Sequence, residues 1–171
     1  MKILQKNEKK LRQISKEVPL DEIKSNGTKA ILEKMAKALA GKENGVALAA
    51  PQIGESLRIF IVAGEIIKNE IPPELKEKKV RLKPVVFINP ILKKISQKKQ
   101  IVGEGCLSVE GIYGAIKRAE KVTVEAYDEN AKKFTRGVSG LLAQIIQHEM
   151  DHLNGILFID KATKLIENDN E

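Results

Sequence analysis

Hydrophobic residues recur at helical spacing in two segments of the chain. Across residues 28–40 they follow one another at intervals of three and four, which places them on one face of a helix that Gly41 can end. The same spacing runs across residues 141–153, where Ser139 can cap the first turn and the Asn-Gly pair after Leu153 can stop the helix. The pattern therefore predicts two amphipathic helices.

Segments rich in Val, Ile and Phe predict strands between and after these helices. Residues 57–63 and 84–92 are bounded by Gly, Pro or Asn, which is typical of strands. Residues 121–127 alternate apolar and polar side chains, and a polar turn joins them to residues 134–138, which favours a β-hairpin. We expect the tail after Asp160 to form another short helix.

The order of these elements predicts one α+β domain over residues 1–171. No internal repeat or low-complexity tract interrupts the order. The connector over residues 65–83 is charged and contains a Pro-Pro pair, and the sequence assigns it no role.

Length and composition are typical of a strongly solvated protein. A chain of 171 residues can bury its own core, and 42% of its residues are hydrophobic while 31% are charged. Its apolar runs are too short to span a bilayer, so we expect no membrane partner. The first residues lack an uninterrupted apolar stretch and a small-residue cleavage site, which predicts a cytoplasmic location.

The formal net charge of +7 bears on possible partners. Positive charge raises encounter rates with anionic surfaces such as the ribosome. Most of the excess is lysine scattered over residues 76–83 and 93–99, which is also typical of a merely solvated surface. Aromatic residues make up 4% and no RNA-binding motif occurs, so we expect no recognition of a specific nucleic-acid sequence.

Both histidines of the chain lie in one short motif within the second predicted helix. His148 and His152 stand four residues apart in the pattern His-Glu-x-x-His. This spacing puts both imidazoles on one face of a helix, where they can bind a single ion. Glu149 is offset by about a hundred degrees and can approach a water bound to that ion. The motif predicts a metal-dependent hydrolase with Glu149 as its acid/base.

A catalytic metal site usually has three protein ligands, so a third ligand must come from elsewhere in the chain. Phe158 stands where the extended metzincin pattern would place a third histidine. Glu167 or Glu171 would serve in a thermolysin-like protease, but both lie at the end of the chain, where residues are often poorly ordered. Cys106 is preferred, because a thiolate binds borderline-soft divalent ions well and Gly105 lets the backbone approach closely. The alternative for Cys106 is a small buried core residue.

Three separated motifs carry a resemblance to a known family. They are GVALAAPQ at residues 45–52, EGCLS at residues 104–108 and QHEMDHLNG at residues 147–155. In this order they resemble the peptide deformylases, which remove the N-formyl group from new peptides in bacteria and organelles. Ala47 departs from the family's usual second glycine, and its added methyl group bears on how a substrate fits.

The resemblance implies an architecture, a substrate and a cofactor. Antiparallel β-sheets would pack around a central helix that carries the His-Glu-x-x-His motif, and N-formylmethionyl peptides would be hydrolysed with release of formate. Cys106, His148 and His152 would hold one divalent ion. The resemblance suggests Fe²⁺ in cells, while Zn²⁺, Ni²⁺ and Co²⁺ suit the same ligands.

The resemblance also implies roles for residues outside the helix. The Gln52 side-chain amide and the Leu107 backbone N–H would stabilise the oxyanion that forms at the carbonyl. Val46 and Ile145 match positions that line the methionine pocket in similar proteins, although ordinary core packing is the alternative for both. Gly45 and Ala47 would let the substrate backbone lie alongside the protein backbone, as an added β-strand does.

Three rival functions remain open from the sequence. The first is a metalloprotease that uses the same helix with a distal Glu ligand. The second is a cysteine hydrolase in which Cys106 is the nucleophile and His148 or His152 its base. The third is a basic nucleic-acid-binding protein.

The sequence leaves the role of Asp151 undecided, since its side chain would either orient a ligand histidine or face solvent.

Overall fold

The computed structural model describes residues 2–42, 44–67 and 82–167. Short 3₁₀ turns accompany the regular elements, among them Lys9–Arg12, Leu20–Glu22, Ala50–Ile53 and Phe158–Asp160. The helices and strands, in chain order, are α1 (Asn26–Ala40), β1 (Ala47–Ala49), β2 (Ile59–Val62), β3 (Val85–Ile95), β4 (Lys99–Cys106), β5 (Val109–Ala119), β6 (Lys121–Tyr127), β7 (Lys133–Ser139), α2 (Gly140–Leu153) and β8 (Lys164–Glu167).

Two antiparallel sheets make up the β-structure of the described residues. The first has five strands in the order β1-β2-β3-β6-β7, and the second has three in the order β4-β5-β8. Each pairing between these strands is antiparallel. The predicted α+β class with antiparallel sheets around the motif-bearing helix is therefore confirmed.

Helix α1 forms where the apolar spacing predicts it. The Oγ of Ser25 accepts a hydrogen bond from the backbone N–H of Thr28 at 3.1 Å, which satisfies one donor of the first turn. Met35 and Leu39 lie on the buried face and pack into a core cluster with strand β2. Gly41 occupies the position directly after the helix, as predicted.

Helix α2 is held by its apolar face against the five-stranded sheet. Ile146 and Leu153 are fully buried and share a core cluster with Phe60 and Phe87, whose rings stack 4.6 Å apart. Ser139 stands at the predicted cap position, but its side chain makes no capping hydrogen bond, so that part of the prediction is wrong.

The stop after α2 depends on a glycine with no room for a side chain. Gly155 has φ +73°, and a Cβ built on it would lie 2.6 Å from the backbone oxygen of Arg12. Both the left-handed conformation and the close approach favour glycine. The helix consequently ends at Leu153, which fixes the register of the three motif residues before it.

The strand predictions are confirmed for β2, β3 and the β6–β7 hairpin, and the tail prediction is wrong. Instead of a short helix after Asp160, residues Lys164–Glu167 form strand β8, which pairs with β5. Strands β4 and β5 lack a clean apolar alternation and were not predicted. Because β8 is short and exposed, its pairing partner rather than its own pattern decides its conformation.

No helix among the described residues is long and apolar enough to cross a membrane. Of the charged connector over residues 65–83, residues 68–81 lie outside the described part of the chain.

Candidate active site

Helix α2 places the three motif residues on its buried side. The ring centroids of His148 and His152 lie 4.9 Å apart, as expected for residues one helical turn apart on a common face. Glu149 and His152 are both buried. The side chains of the motif thus point into the protein rather than toward solvent.

Strand β4 ends at Cys106 and brings its sulfur to the same place. The Sγ of Cys106 lies 3.1 Å from Nε2 of His152. One ligand atom from each of Cys106, His148 and His152 lies within 4.8 Å of the others, and these three form the one such group among the described residues. The neighbouring Gly105 leaves room for the Tyr113 ring, since a Cβ there would lie 2.9 Å from it.

The donor set fits a divalent transition metal ion. Bonds of about 2.0–2.3 Å from one tetrahedral ion place its ligand atoms roughly 3.3–3.8 Å apart. The ligand atoms here lie within 4.8 Å of one another, and the sulfur is 3.1 Å from Nε2 of His152, so small shifts would bring them to such an ion. One sulfur and two imidazole nitrogens suit Fe²⁺, Zn²⁺, Ni²⁺ or Co²⁺. Among the described residues, Oε2 of Glu149 is buried without a hydrogen-bond partner. A buried carboxylate oxygen without a partner beside this donor set fits a site that binds a water molecule or a cation.

A buried network of charged side chains contacts His148 at Nδ1. Oε2 of Glu104 accepts a hydrogen bond from Nδ1 of His148 at 2.9 Å. Arg118 donates to both oxygens of Glu104, at 2.7 and 2.9 Å, and to Asp151 at 2.6 Å. Lys161 donates to the other oxygen of Asp151. With Nδ1 engaged, His148 has Nε2 left for an ion.

Sequence reasoning missed the roles of Glu104 and Arg118 and left Asp151 undecided. Asp151 is buried and paired rather than facing solvent. A signal for Glu104 was present, because residues i and i+2 of a strand share a face and Glu104 stands two residues before Cys106. Arg118 follows 14 residues after Glu104, and only the pairing of β4 with β5 brings the two together.

Burial and neighbouring charges shift the pKa values of this cluster. Burial raises the pKa of Glu149 to about 7 and lowers that of His152 well below its ordinary value. For Glu104, burial is outweighed by Arg118 and His148, which lower the pKa to about 2. For His148, burial is likewise outweighed by hydrogen bonds with Cys106 and Glu104, which raise the pKa to about 10. An ion that binds His148 must therefore displace a proton.

Gln52 lies beside the cysteine. Its Oε1 accepts a hydrogen bond from the Ala49 backbone N–H at 2.8 Å, and its Nε2 donates to Ser108 Oγ at 3.1 Å. The same Nε2 lies 3.6 Å from Cys106 Sγ. Leu107 follows Cys106, and its carbonyl accepts a hydrogen bond from Gln5. Gln52 and Leu107 thus both lie next to Cys106, and all three residues line the same cavity.

A cavity of about 430 Å³ opens onto these groups. Gln52, Leu107 and Glu149 line it, together with Cys106 and His148. Val46 and Ile145 contribute apolar surface to its wall, at the positions predicted for a substrate pocket. Two other predicted residues do not line this cavity: Gly45 borders a neighbouring cavity, and Ala47 packs in the core.

The alternative third ligands lie elsewhere or fall outside the described residues. Glu167 is exposed at the end of β8, opposite Ile112, and it does not belong to the ligand cluster. Phe158 is buried and its ring stacks against His148 with centroids 6.3 Å apart. Glu171 lies outside the described residues.

Known proteins resemble the chain in sequence. "Peptide deformylase 1A, chloroplastic" of Solanum lycopersicum is 39% identical over 154 residues, which cover 88% of this chain and 55% of that protein. The chain thus spans little more than half the length of the tomato relative. The peptide deformylase of Carboxydothermus hydrogenoformans is 40% identical over 157 residues, which cover 91% of this chain and 89% of that one.

Solved structures resemble the chain in fold. The Met-Ala-Ser-bound class I type b peptide deformylase of Acinetobacter baumannii superposes with a TM-score of 0.79 at 32% identity. The superposition covers 94% of this chain and 97% of that one.

A family model matches nearly the whole sequence. The polypeptide deformylase model aligns with residues 1–168, a range that contains all three motifs and the ligand cluster. The chain therefore belongs to the polypeptide deformylase family.

Proposed function

We propose that this protein hydrolyses the N-terminal formyl group of formyl-methionyl peptides and releases formate. The observation that carries the proposal is the convergence of Cys106, His148 and His152 beside a cavity that Cys106, His148 and the buried Glu149 line. Family membership supports the choice of substrate, and the Acinetobacter relative binds Met-Ala-Ser, a tripeptide that begins with methionine.

In this proposal Cys106, His148 and His152 hold one divalent ion, with Fe²⁺ the ion in cells and Zn²⁺, Ni²⁺ or Co²⁺ as replacements. When bound, such an ion supplies Lewis acidity at the carbonyl and lowers the pKa of a water molecule. The hydrogen bond from His148 to Glu104 fixes the orientation of that ring, so that one nitrogen alone is available as a ligand.

Glu149 moves the proton in the proposed reaction. It takes a proton from the attacking water and returns it to the amine that leaves. Its pKa, which burial raises to about 7, suits a group that must accept and then donate a proton near neutral pH. Its unpaired Oε2 is free to make the hydrogen bond that this transfer requires.

Gln52 and Leu107 stabilise the negative charge that develops on the formyl oxygen. The Gln52 amide is held by Ala49 and Ser108, so it needs little reorganisation during the reaction. A donor placed in advance in this way contributes roughly 3 kcal/mol to stabilising a transition state. The Leu107 N–H is proposed as the second donor, because it directly follows the cysteine ligand.

The methionine side chain is proposed to contact Val46 and Ile145 in the cavity wall. Gly45 and Ala47 would act through the backbone of the segment that leads into β1, since neither lines the cavity itself. The side chain of Ala47 is buried, so the methyl group that replaces the family's usual glycine hydrogen contributes to the packing of the core.

We assign residues 1–171 to a single catalytic domain in the cytoplasm. The formal net charge of +7 supports association with the ribosome, where formylated nascent peptides emerge.

A formate-release assay tests the proposal directly. The protein is purified without oxygen, its metal content is measured, and it is incubated with formyl-Met-Ala-Ser. We expect about one metal ion per chain and steady formate release. Full metal content without formate release would refute the substrate while leaving the metal site intact.

The cysteine hydrolase is the second candidate, because the 3.1 Å contact between Cys106 Sγ and His152 Nε2 would also suit a thiol activated by an imidazole. Treatment with a chelator separates the two functions. Activity that is lost on chelation and restored by added Fe²⁺ or Co²⁺ supports the metal enzyme, whereas activity that survives full metal removal supports the thiol enzyme.

A further inference from the structure

The three-stranded sheet has an exposed face that begins at the mouth of the cavity. Opposed residues on antiparallel strands place their side chains on the same face, and Gly105, Tyr113 and Ile166 oppose one another across β4, β5 and β8. We name this side of the sheet the outer face. Tyr113 is 50% exposed and Ile166 is 54% exposed, while Gly105 and Tyr113 also line the catalytic cavity.

From this row the outer face continues along β4 over small residues. Gly103 opposes Ala115 in the next row, and a Cβ added to Gly103 would meet nothing within 4 Å. Beyond them lies Ile101, which is 69% exposed. Four residues of strand separate Gly105 from Ile101, or about 13 Å, which is the length of roughly four residues of an extended peptide.

The opposite face of the sheet contributes to the core, whereas Ile101, Tyr113 and Ile166 of the outer face belong to none of the core clusters among the described residues. Ile116 and Glu104 point to the opposite side and are buried. Strands with one buried face normally carry polar residues on the other. Apolar side chains that continue from a binding cavity onto exposed surface typically mark a contact with a partner.

The charges of the outer face favour a negatively charged partner. Lys117 opposes Ile101, and Lys164 opposes Ala115. Lys99 stands at the start of β4 on the same side, and none of the described residues at the outer-face positions of the three strands is acidic. A peptide with acidic side chains between its apolar ones would match this surface better than a basic one.

We propose that the outer face binds the part of the substrate peptide that follows its first three residues, with a preference for apolar and acidic side chains. The proposal rests on the function assigned above, because the occupant is the continuation of the chain whose formylated end lies in the cavity. The continuity of Gly105 and Tyr113 with both surfaces gives the peptide an unbroken path.

The expected gain is moderate because the surface is shallow. Partial burial of two leucine side chains, offset by the ordering of a flexible segment, corresponds to roughly tenfold in affinity. The gain should appear in KM and hence in kcat/KM, since the outer face does not contact the reacting atoms.

Peptides of graded length and charge test the proposal. Formyl-Met-Ala-Ser is compared with the same peptide extended by Leu-Asp-Leu-Asp, Leu-Lys-Leu-Lys or Ser-Gly-Ser-Gly. We expect the Leu-Asp extension to raise kcat/KM roughly tenfold over the Ser-Gly extension, with a smaller gain for Leu-Lys. Anisotropy of the unformylated peptides, labelled at their carboxyl ends, gives the same comparison for the metal-loaded protein without catalysis.

Variants of the outer face provide the decisive comparison. Ile101→Ser and Ile166→Ser lie outside the cavity and should lose most of the Leu-Asp gain while turning over formyl-Met-Ala-Ser at the normal rate. Lys117→Glu should reverse the order of the Leu-Asp and Leu-Lys peptides. Ile14→Ser is the matched control, because Ile14 is 73% exposed and lies outside the sheets.

Several results would overturn the inference. It fails if the Leu-Asp gain is absent, or if it is the same in Ile101→Ser and Ile14→Ser. It also fails if sedimentation shows a dimer that Ile101→Ser dissociates, since the face would then bind a second copy of the chain. A protein that turns over no formyl peptide refutes the proposed function instead, and the anisotropy series then decides on the outer face separately.

Discussion

Glu104 holds His148 by a hydrogen bond of 2.9 Å between its carboxylate and Nδ1 of the ring. The two residues come from different elements, β4 and α2, and Arg118 anchors the carboxylate from a third. The contact therefore couples the packing of the three-stranded sheet against α2 to the orientation of a proposed metal ligand.

Replacement of Glu104 by Gln should weaken metal binding without removing a ligand. The variant keeps the shape of the side chain but loses the negative charge that orients and polarises His148. We expect about a 10- to 100-fold loss of metal affinity, measured by competition with a chromogenic chelator. Glu120→Gln removes a carboxylate that pairs with Lys98 away from the site, and it should bind metal like the unmodified protein.

Cys106→Ser and Glu167→Gln together test the identity of the third ligand. Cys106 lies in the ligand cluster, whereas Glu167 is exposed on β8. We expect Cys106→Ser to lose most of its bound metal and Glu167→Gln to keep it, as measured by elemental analysis per chain. The opposite pattern would favour a metalloprotease-like site.

Glu149→Gln should separate metal binding from proton transfer. The amide cannot accept and return a proton, but it fills the same space beside His148. We expect kcat for formyl-Met-Ala-Ser to fall by about 10²- to 10⁴-fold while the metal content stays at the level of the unmodified protein. Near-normal turnover by this variant would exclude Glu149 as the general base.

The stability of the metal-free protein should decrease in acid through Glu104. Burial is outweighed by Arg118 and His148, so the folded-state pKa of Glu104 is about 2, below its ordinary value of 4.5. A lowered carboxyl pKa stabilises the fold above the ordinary value, and this contribution is lost as the pH falls from 4.5 to about 2. Urea unfolding across this window should show a steeper loss for the unmodified protein than for Glu104→Gln. Equal loss of unfolding free energy in the two proteins would contradict the lowered pKa of Glu104.

Gly155→Ala should destabilise the fold more than Gly140→Ala. Both glycines have positive φ, but a Cβ on Gly155 would lie 2.6 Å from the Arg12 oxygen, whereas one on Gly140 would meet nothing within 4 Å. We expect a loss of about 1 kcal/mol in unfolding free energy for Gly140→Ala, from backbone conformation alone. Gly155→Ala should lose at least about 2 kcal/mol, because the backbone must also move. Denaturant titrations of both variants measure the difference.

Local patterns were sufficient for much of the fold. Helix α1 and the β6–β7 hairpin could be predicted because their apolar spacing and boundary residues lie within a few positions of one another. Strand β8 could not, since four exposed residues form a strand only when β5 provides a partner. The same limit applies to β4 and β5, whose central segments mix glycine and charge with apolar residues.

The sequence by itself determined that His148, Glu149 and His152 share one side of a helix, because helical periodicity is a local property. It also singled out Cys106 and Gln52, through motifs that mark a family. Only the tertiary structure decided that Cys106 meets His152, that Glu104 and Arg118 support His148, and that Ala47 belongs to the core rather than to the cavity wall. These contacts join residues distant in the chain, and their geometry follows from how two sheets and a helix pack together, which residue spacing does not encode.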